Sequence, residues 1–232
     1  MSVFHARLGE SVPDFHCETT HGSFYFYKYL ISDPSRPWTL LLSHPADFTP
    51  VCTTEMGQSE KVQGQFCRIG VKILGISCDT LEDHNAWAHD ILFREGLKEQ
   101  RKLSFPLIAD QNRDIVVLLG MLDPLEKTSS GLALPARAAY LVDSGGKLRL
   151  SILYPATTGR NYAELIRACE AVILSDRTGL ATPVEWKHGD PCLVPANMDS
   201  ALAELKFGPV HVEKLPSGRE YIRTVSCPKE KF

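Results

Sequence analysis

Apolar positions along the chain follow two alternating periods. Trp38–Ser43 (WTLLLS), Val71–Ser77 (VKILGIS) and Ala138–Asp143 (AAYLVD) are nearly unbroken apolar runs, the pattern of strands covered on both faces. Leu148–Tyr154 (LRLSILY) reads as a fourth strand, and the turn formers of Asp143–Lys147 (DSGGK) join it to the third as an antiparallel hairpin. Between these runs the period lengthens, predicting helices over about 50–66, 80–94, 112–119 and 160–175. Thr80 caps the second of these, with Asp83 three residues on. Strands alternating with helices predict an α/β fold, a central mixed sheet flanked by helices.

After about residue 176 the pattern dissolves into closely spaced turn formers. Residues 1–176 are therefore expected to form the main domain and residues 177–232 a small carboxy-terminal one. Within the latter, Leu215–Cys227 (LPSGREYIRTVSC) reads as a hairpin arm. So short a segment, with few core candidates, is marginal alone and is expected to pack on the main domain or on a second subunit.

Composition narrows the function classes. A formal charge of −3 over 232 residues offers no basic field for nucleic acid or an anionic membrane. Neither an apolar signal core nor a run near the ~20 residues of a membrane span is present, so a cytoplasmic location is expected. The seven cysteines (17, 52, 67, 78, 169, 192 and 227) include no Cys-x-x-Cys pair and no zinc-finger spacing. Neither a disulfide scaffold nor a metal site is expected, and most of these cysteines read as small core residues. His84 and His89 lie five apart, off the spacing of a metal pair on one helix face, and read as solvated or locally bonded; Trp87 and Trp186 read as core or interface residues.

Cys52 stands apart. The strand ending at Ser43 is followed by a turn and then by TPVCTTE, with Thr49 as N-cap and Pro50 at the first helical position. Cys52 takes the third helical position, where a thiolate would face unpaired N–H groups and the positive end of the helix dipole. A free thiol of pKa ~8.5 is only about 3% ionised at pH 7, so full ionisation gains at most about thirty-fold, or ~2 kcal/mol. Catalysis would also need groups that stabilise charge on the departing part of a substrate. The alternative at this position is a buried packing cysteine.

The stretch Pro45-x-x-x-Thr49-x-x-Cys52 resembles the active-site signature of the peroxiredoxins, thiol peroxidases on a thioredoxin-like fold. SHPADFTPVCTTE, EDHNAW, GMLDP, SILYPATTGRN, ATPVEWKHGD and LPSGREYIR are similar to the one-cysteine (peroxiredoxin-6-type) subfamily over nearly the whole chain. The resemblance implies that Cys52 is the peroxidatic nucleophile. It implies that Thr49 bonds the thiolate and orients the peroxide, that Pro45 shields the pocket, and that Arg137 pairs with the thiolate and stabilises charge on the breaking O–O bond. It places His44 beside the pocket, with Glu55 and Arg160 holding Arg137. Without the resemblance, Glu55 reads as a first-turn acid complementing the dipole, Arg160 as a first-turn arginine and His44 as a structural histidine.

The resolving cysteine of two-cysteine relatives is replaced by Thr182 in ATPVEW. The resemblance therefore implies reduction of the Cys52 sulfenate by an external thiol, glutathione, delivered with or without a glutathione transferase. Substrates are hydrogen peroxide and alkyl or lipid hydroperoxides, the assembly is a homodimer, and no cofactor is implied. Cys192 and Cys227 leave a second route open, since either could approach Cys52. Some animal members of the subfamily also carry phospholipase activity on a serine; here the corresponding turn, ISDPSRPW, lacks the glycine and has Pro37 where that serine belongs, with Tyr27 in place of the upstream histidine. No such activity is expected from Ser32 or Ser35. A redox-regulated binding protein is the remaining rival, and the intact set of Pro45, Thr49, Cys52 and Arg137 favours peroxide reduction over it.

Overall fold

The computed structural model describes residues 6–229. The chain divides into two compact units, residues 1–162 and 163–232. In chain order the first contains β1 (His16–Cys17), β2 (Phe24–Tyr25), α1 (Phe26–Leu30), β3 (Trp38–Ser43), α2 (Pro50–Arg68), β4 (Val71–Ser77), α3 (Leu81–Arg94) and β5 (Leu107–Ala109). It continues through α4 (Asp114–Leu118), β6 (Leu122–Lys127), β7 (Ala133–Pro135), β8 (Arg137–Val142) and β9 (Leu148–Tyr154). Helix α5 (Tyr162–Thr178) opens the second unit, followed by β10 (Cys192–Leu193), α6 (Ser200–Phe207), β11 (His211–Val212) and β12 (Arg223–Val225).

The central sheet has the order β5-β4-β3-β8-β9. β3, β4 and β5 run parallel, whereas β8 is antiparallel to both β3 and β9. Every residue of β3, β4 and β8 is buried, as their unbroken apolar runs require. Alternation of side chains sends Leu41, Leu74, Ile76, Ala138, Tyr140 and Val142 into one cluster with the stacked rings of Phe15 and Phe26. Helices α2 and α3 pack together, α2 on β4 and α3 on β5. Helix α3 starts with the expected capping box, in which Thr80 Oγ1 accepts from the Asp83 N–H and the Asp83 carboxylate answers at Thr80.

The domain boundary expected after residue 176 falls at the end of α5, whereas the structural division falls at its start. Ala171 and Leu174 of this helix belong to the apolar cluster of the second unit, together with Trp186, Cys192, Val194 and Val225. Turn formers in the sequence mark where the helix stops, not which core it serves. Of the hairpin arm expected over 215–227 only β12 is a strand; it pairs antiparallel with β11, which precedes that stretch, and with β10. Among the described residues no helix is long and apolar enough to cross a membrane.

Candidate active site

The site is assembled where β3 hands over to α2. Ser43, the last residue of β3, accepts the Ala138 N–H at its Oγ (2.9 Å) and donates to the Ala136 carbonyl (2.6 Å). It thereby clamps both neighbours of Arg137 and fixes the start of β8 beside the loop that leads to Cys52. That loop turns sharply. Phe48 sits in the left-handed region at φ 53°, a conformation that costs a non-glycine residue on the order of 1 kcal/mol. Thr49 then returns to extended backbone and Pro50 opens the helix. Thr49 is the N-cap by position, but its hydroxyl does not cap: it donates to the Ala46 carbonyl at 2.8 Å, while its own carbonyl accepts from the N–H and hydroxyl of Thr53. Pro45 is buried in the same loop.

Cys52 has 0% of its surface exposed, so any reagent reaches it only through local movement around the site. Arg137 Nη1 donates to Cys52 Sγ at 3.3 Å and to Glu55 Oε2 at 2.9 Å. The other edge of the same guanidinium is held on the Ala156 carbonyl by Nε at 3.0 Å and Nη2 at 2.5 Å. Glu55 is in turn gripped by Arg160 through its backbone N–H (2.7 Å), Nε (3.0 Å) and Nη2 (2.8 Å), and Arg160 Nη1 reaches the Ala138 carbonyl at 2.8 Å. Cys52, Glu55, Arg137 and Arg160 are thus brought together as expected. Glu55 is not the exposed first-turn acid of the simpler reading but a buried hub.

The electrostatics of the cluster follow from its charges. Burial opposes ionisation of Glu55, yet the charge and hydrogen bonds of Arg160, with Arg137 behind them, hold its carboxyl below the usual range. Burial likewise works against the Arg160 cation, and the neighbouring Tyr162 and Glu55 outweigh it. Two guanidinium groups against one carboxylate leave one net positive charge beside the Cys52 sulfur.

His44 lies in the same loop with no exposed surface, and the structure gives it a partner, Asp47, that sequence reasoning missed. Its Nε2 meets Asp47 Oδ1 at 2.7 Å, and the other oxygen of Asp47 meets His84 Nδ1 at 2.6 Å. His84 Nε2 faces the Ile108 carbonyl at 3.0 Å. Burial raises Asp47, but bonds from His44 and His84 bring it down to about 2, so it is a carboxylate. Both His84 nitrogens therefore face pure acceptors and must both carry protons. His84 is an imidazolium: burial disfavours the charge, and Asp47 more than restores it, raising the pKa above its ordinary value. His44, Asp47 and His84 are close enough to hold a metal ion together, but a doubly protonated ring has no lone pair for one. His84 is therefore neither solvated nor locally bonded; its partner lies 37 residues away. Only the His44-x-x-Asp47 spacing hinted at half of this unit.

The serines of the ISDPSRPW turn are engaged otherwise. Ser32 Oγ donates to the Tyr29 carbonyl, Ser35 Oγ donates to Asp33, and the Tyr27 hydroxyl donates to the Val12 carbonyl. None of these bonds brings a histidine to a serine: the Asp33 carboxylate that accepts from Ser35 is held down at about 2 by Ser35 and Arg36, and Lys72 Nζ reaches Ser32 Oγ only at 3.5 Å.

A single buried thiol at a helix start, clamped by a guanidinium from an adjoining strand of a mixed sheet, defines a thiol-dependent peroxidase on a thioredoxin-like fold. Residues 8–151 match the AhpC/TSA family. The chain is 43% identical to peroxiredoxin-6 of Bos taurus over 222 residues, covering 95% of this chain and 97% of that one. The crystal structure of a cysteine-to-serine mutant of peroxiredoxin 6 from Arenicola marina superposes with a TM-score of 0.90 at 40% identity, covering 97% of this chain and 99% of its own. A yeast mitochondrial 1-Cys peroxiredoxin, studied for thiol resolution via glutathione and thioredoxin systems, superposes at 0.82 with 33% identity, covering 95% and 99%. This chain belongs to the AhpC/TSA family, and within it to the one-cysteine peroxiredoxins.

Proposed function

We propose that the protein reduces hydrogen peroxide and organic hydroperoxides through Cys52, with Arg137 as the group that couples sulfur to substrate. The contact that carries this reading is Arg137 Nη1 at 3.3 Å from Cys52 Sγ, made by a guanidinium whose remaining donors are fixed by Glu55 and Ala156. In the reaction the Cys52 thiolate attacks one peroxide oxygen. The O–O bond breaks, the sulfur becomes a sulfenic acid, and the second oxygen leaves as alkoxide or hydroxide and is protonated to alcohol or water. Arg137 stabilises the charge shared between sulfur and the departing oxygen without having to move, because its partners already hold it. Thr49, its hydroxyl proton donated to Ala46, is left as an acceptor suited to the O–H of an incoming peroxide. Pro45 and the Phe48 turn close the loop over the sulfur and limit access of water.

The sulfenic acid then needs a thiol from outside. A thiol attacks the sulfenic sulfur, water leaves, and a second thiol resolves the mixed disulfide. The likeness to the yeast 1-Cys peroxiredoxin supports glutathione or thioredoxin in this role; a glutathione transferase as carrier belongs to the same proposal. So do a homodimeric assembly, favoured by the exposed Val184, Leu205 and Tyr221 of the second unit, and a cytoplasmic location. The test is steady-state consumption of hydrogen peroxide with glutathione or thioredoxin recycled by its reductase. The reading expects turnover with at least one of them, and one turnover per Cys52 with no reductant. Stoichiometric peroxide loss that no thiol renews would contradict the external-thiol part.

A further inference from the structure

The second unit holds two thiols that peroxide reduction at Cys52 leaves unused. β10 and β12 run antiparallel with Cys192 opposite Val225. Cys227, two residues beyond Val225, therefore falls on the same face of the strand pair as Cys192. Cys192 and Val225 are buried in the cluster built around Trp186 and Leu180, and Cys227 packs against it, half-buried. Both are free thiols and neighbours, and their S–H groups go to the Asp190 and Pro228 carbonyls at 3.9 and 3.7 Å. Burial first, and the charge of a neighbouring Cys227 thiolate second, push the Cys192 thiol up to about 12, so alone it is inert toward electrophiles.

We infer that Cys192 and Cys227 form a redox pair that closes to an intramolecular disulfide under excess hydroperoxide and staples the chain after β12 to β10. Diagonal neighbours on a regular ladder lie about 7–8 Å apart, slightly beyond the ~4.4–6.8 Å between Cα atoms of a disulfide. The ladder of β12 ends at Val225, and Cys227 lies past it, so the remaining approach falls on backbone outside the sheet.

The chemistry divides according to exposure. Cys227, the accessible thiol, attacks the hydroperoxide; the O–O bond breaks, giving a sulfenic acid on Cys227 and an alcohol, or water from hydrogen peroxide. Cys192 sulfur then attacks Cys227 sulfur and the S–O bond breaks. The departing hydroxyl takes the Cys192 proton and leaves as water. Two thiols have lost two electrons and two protons, and the hydroperoxide has accepted both. This step does not pass through Cys52, and it stands or falls separately from the peroxidase reading.

The experiment treats reduced Cys52→Ser protein, which lacks the competing thiol, with a tenfold excess of hydrogen peroxide. Remaining thiols are blocked with iodoacetamide, and the protein is mapped by non-reducing digestion and mass spectrometry. The expected product is a monomer two hydrogens lighter with a Cys192–Cys227 cross-linked peptide, reversed by dithiothreitol. The cross-link should vanish with Cys227→Ser, and Cys227→Ser alone should consume peroxide within two-fold of wild type. Cys227→Ser decides the matter even if a Cys192 variant fails to fold. Cys227 driven to sulfinic acid while Cys192 is recovered alkylated would overturn the pairing. So would a cross-link from either cysteine to another cysteine or another chain.

Discussion

Glu55 touches neither substrate nor sulfur, so replacing it tests whether the network around Arg137 matters. In Glu55→Gln the volume is kept and one charge is removed. The wild-type carboxylate receives four hydrogen bonds, three from Arg160 and one from Arg137. A carboxamide keeps one good acceptor and turns an N–H toward a guanidinium. Removing one partner of a buried ion pair costs ~3–5 kcal/mol, and the retained acceptor places this variant near ~3 kcal/mol, measured as a lower urea midpoint at unchanged m-value. Glu55 is held below its ordinary pKa, so its stabilisation is present above the unfolded value of ~4.3 and is lost as pH falls through the depressed one. The variant should lack that acid limb. The rate is the sharper test. Arg137 keeps Ala156 but loses its 2.9 Å anchor, and a misplacement of about 1 Å can cost 10²-fold; the expected fall in the second-order rate with hydrogen peroxide is about 10- to 100-fold. Removing an anion near the sulfur also changes the field there, an effect that every electrophile feels. Alkylation of Cys52 by iodoacetamide, which has no O–O bond for Arg137 to clamp, separates the two effects. A peroxide rate within two-fold of wild type, or parallel falls in both reactions, would refute the positioning argument.

Arg137→Lys retains charge but loses the fork that spans Cys52, Glu55 and Ala156, and stopped-flow should show a peroxide rate lower by about 10²–10³. Asp47→Asn strands the His84 imidazolium and should destabilise the fold by ~3 kcal/mol or more in urea titrations at pH 6. The raised His84 pKa contributes stability that is present below ~6.5 and is lost as pH rises through the folded value; Asp47, brought down to about 2, contributes above ~3.9 and is lost as pH falls. His84→Gln should therefore flatten the alkaline loss of stability between pH 6 and 9, and an unchanged slope would contradict the charged assignment. Phosphatidylcholine vesicles incubated with the protein should yield no free fatty acid, because Ser32 and Ser35 bond to a carbonyl and to Asp33; release that is lost with Ser35→Ala would overturn this.

The four expected strands and the helices between them stand within a few residues of their expected places: burial on both faces writes a continuous apolar signature into β3, β4 and β8, and the turn at 143–147 marks the part-exposed β9. β5 left no such trace: three residues following Pro106, paired with β4 and bridged to Thr19 on the other side, are too short for any period to register. The two-residue β1 and β2 and the three-residue β7 escaped for the same reason, whereas six-residue β6 escaped because Pro124 and its charged positions break the strand pattern. At the site, Cys52 was legible through local helix-start chemistry, and Arg137 through likeness to relatives, with which its place at the start of β8 agrees. Glu55 and Arg160 came only through likeness to relatives, since their union depends on a contact 105 residues apart in the chain. The Ser43 clamp and the Asp47–His84 pair are tertiary in the same sense. No spacing rule announces a carboxylate that bridges two histidines from separate elements.

The most direct test of the central claim is rapid mixing of fully reduced wild type and Cys52→Ser with one equivalent of hydrogen peroxide, followed by intact-mass analysis under non-reducing conditions. The account predicts fast peroxide loss in wild type alone, with a monomer heavier by one oxygen before any thiol is added. Equal rates in the two proteins, or no fast phase in reduced wild type, would contradict it.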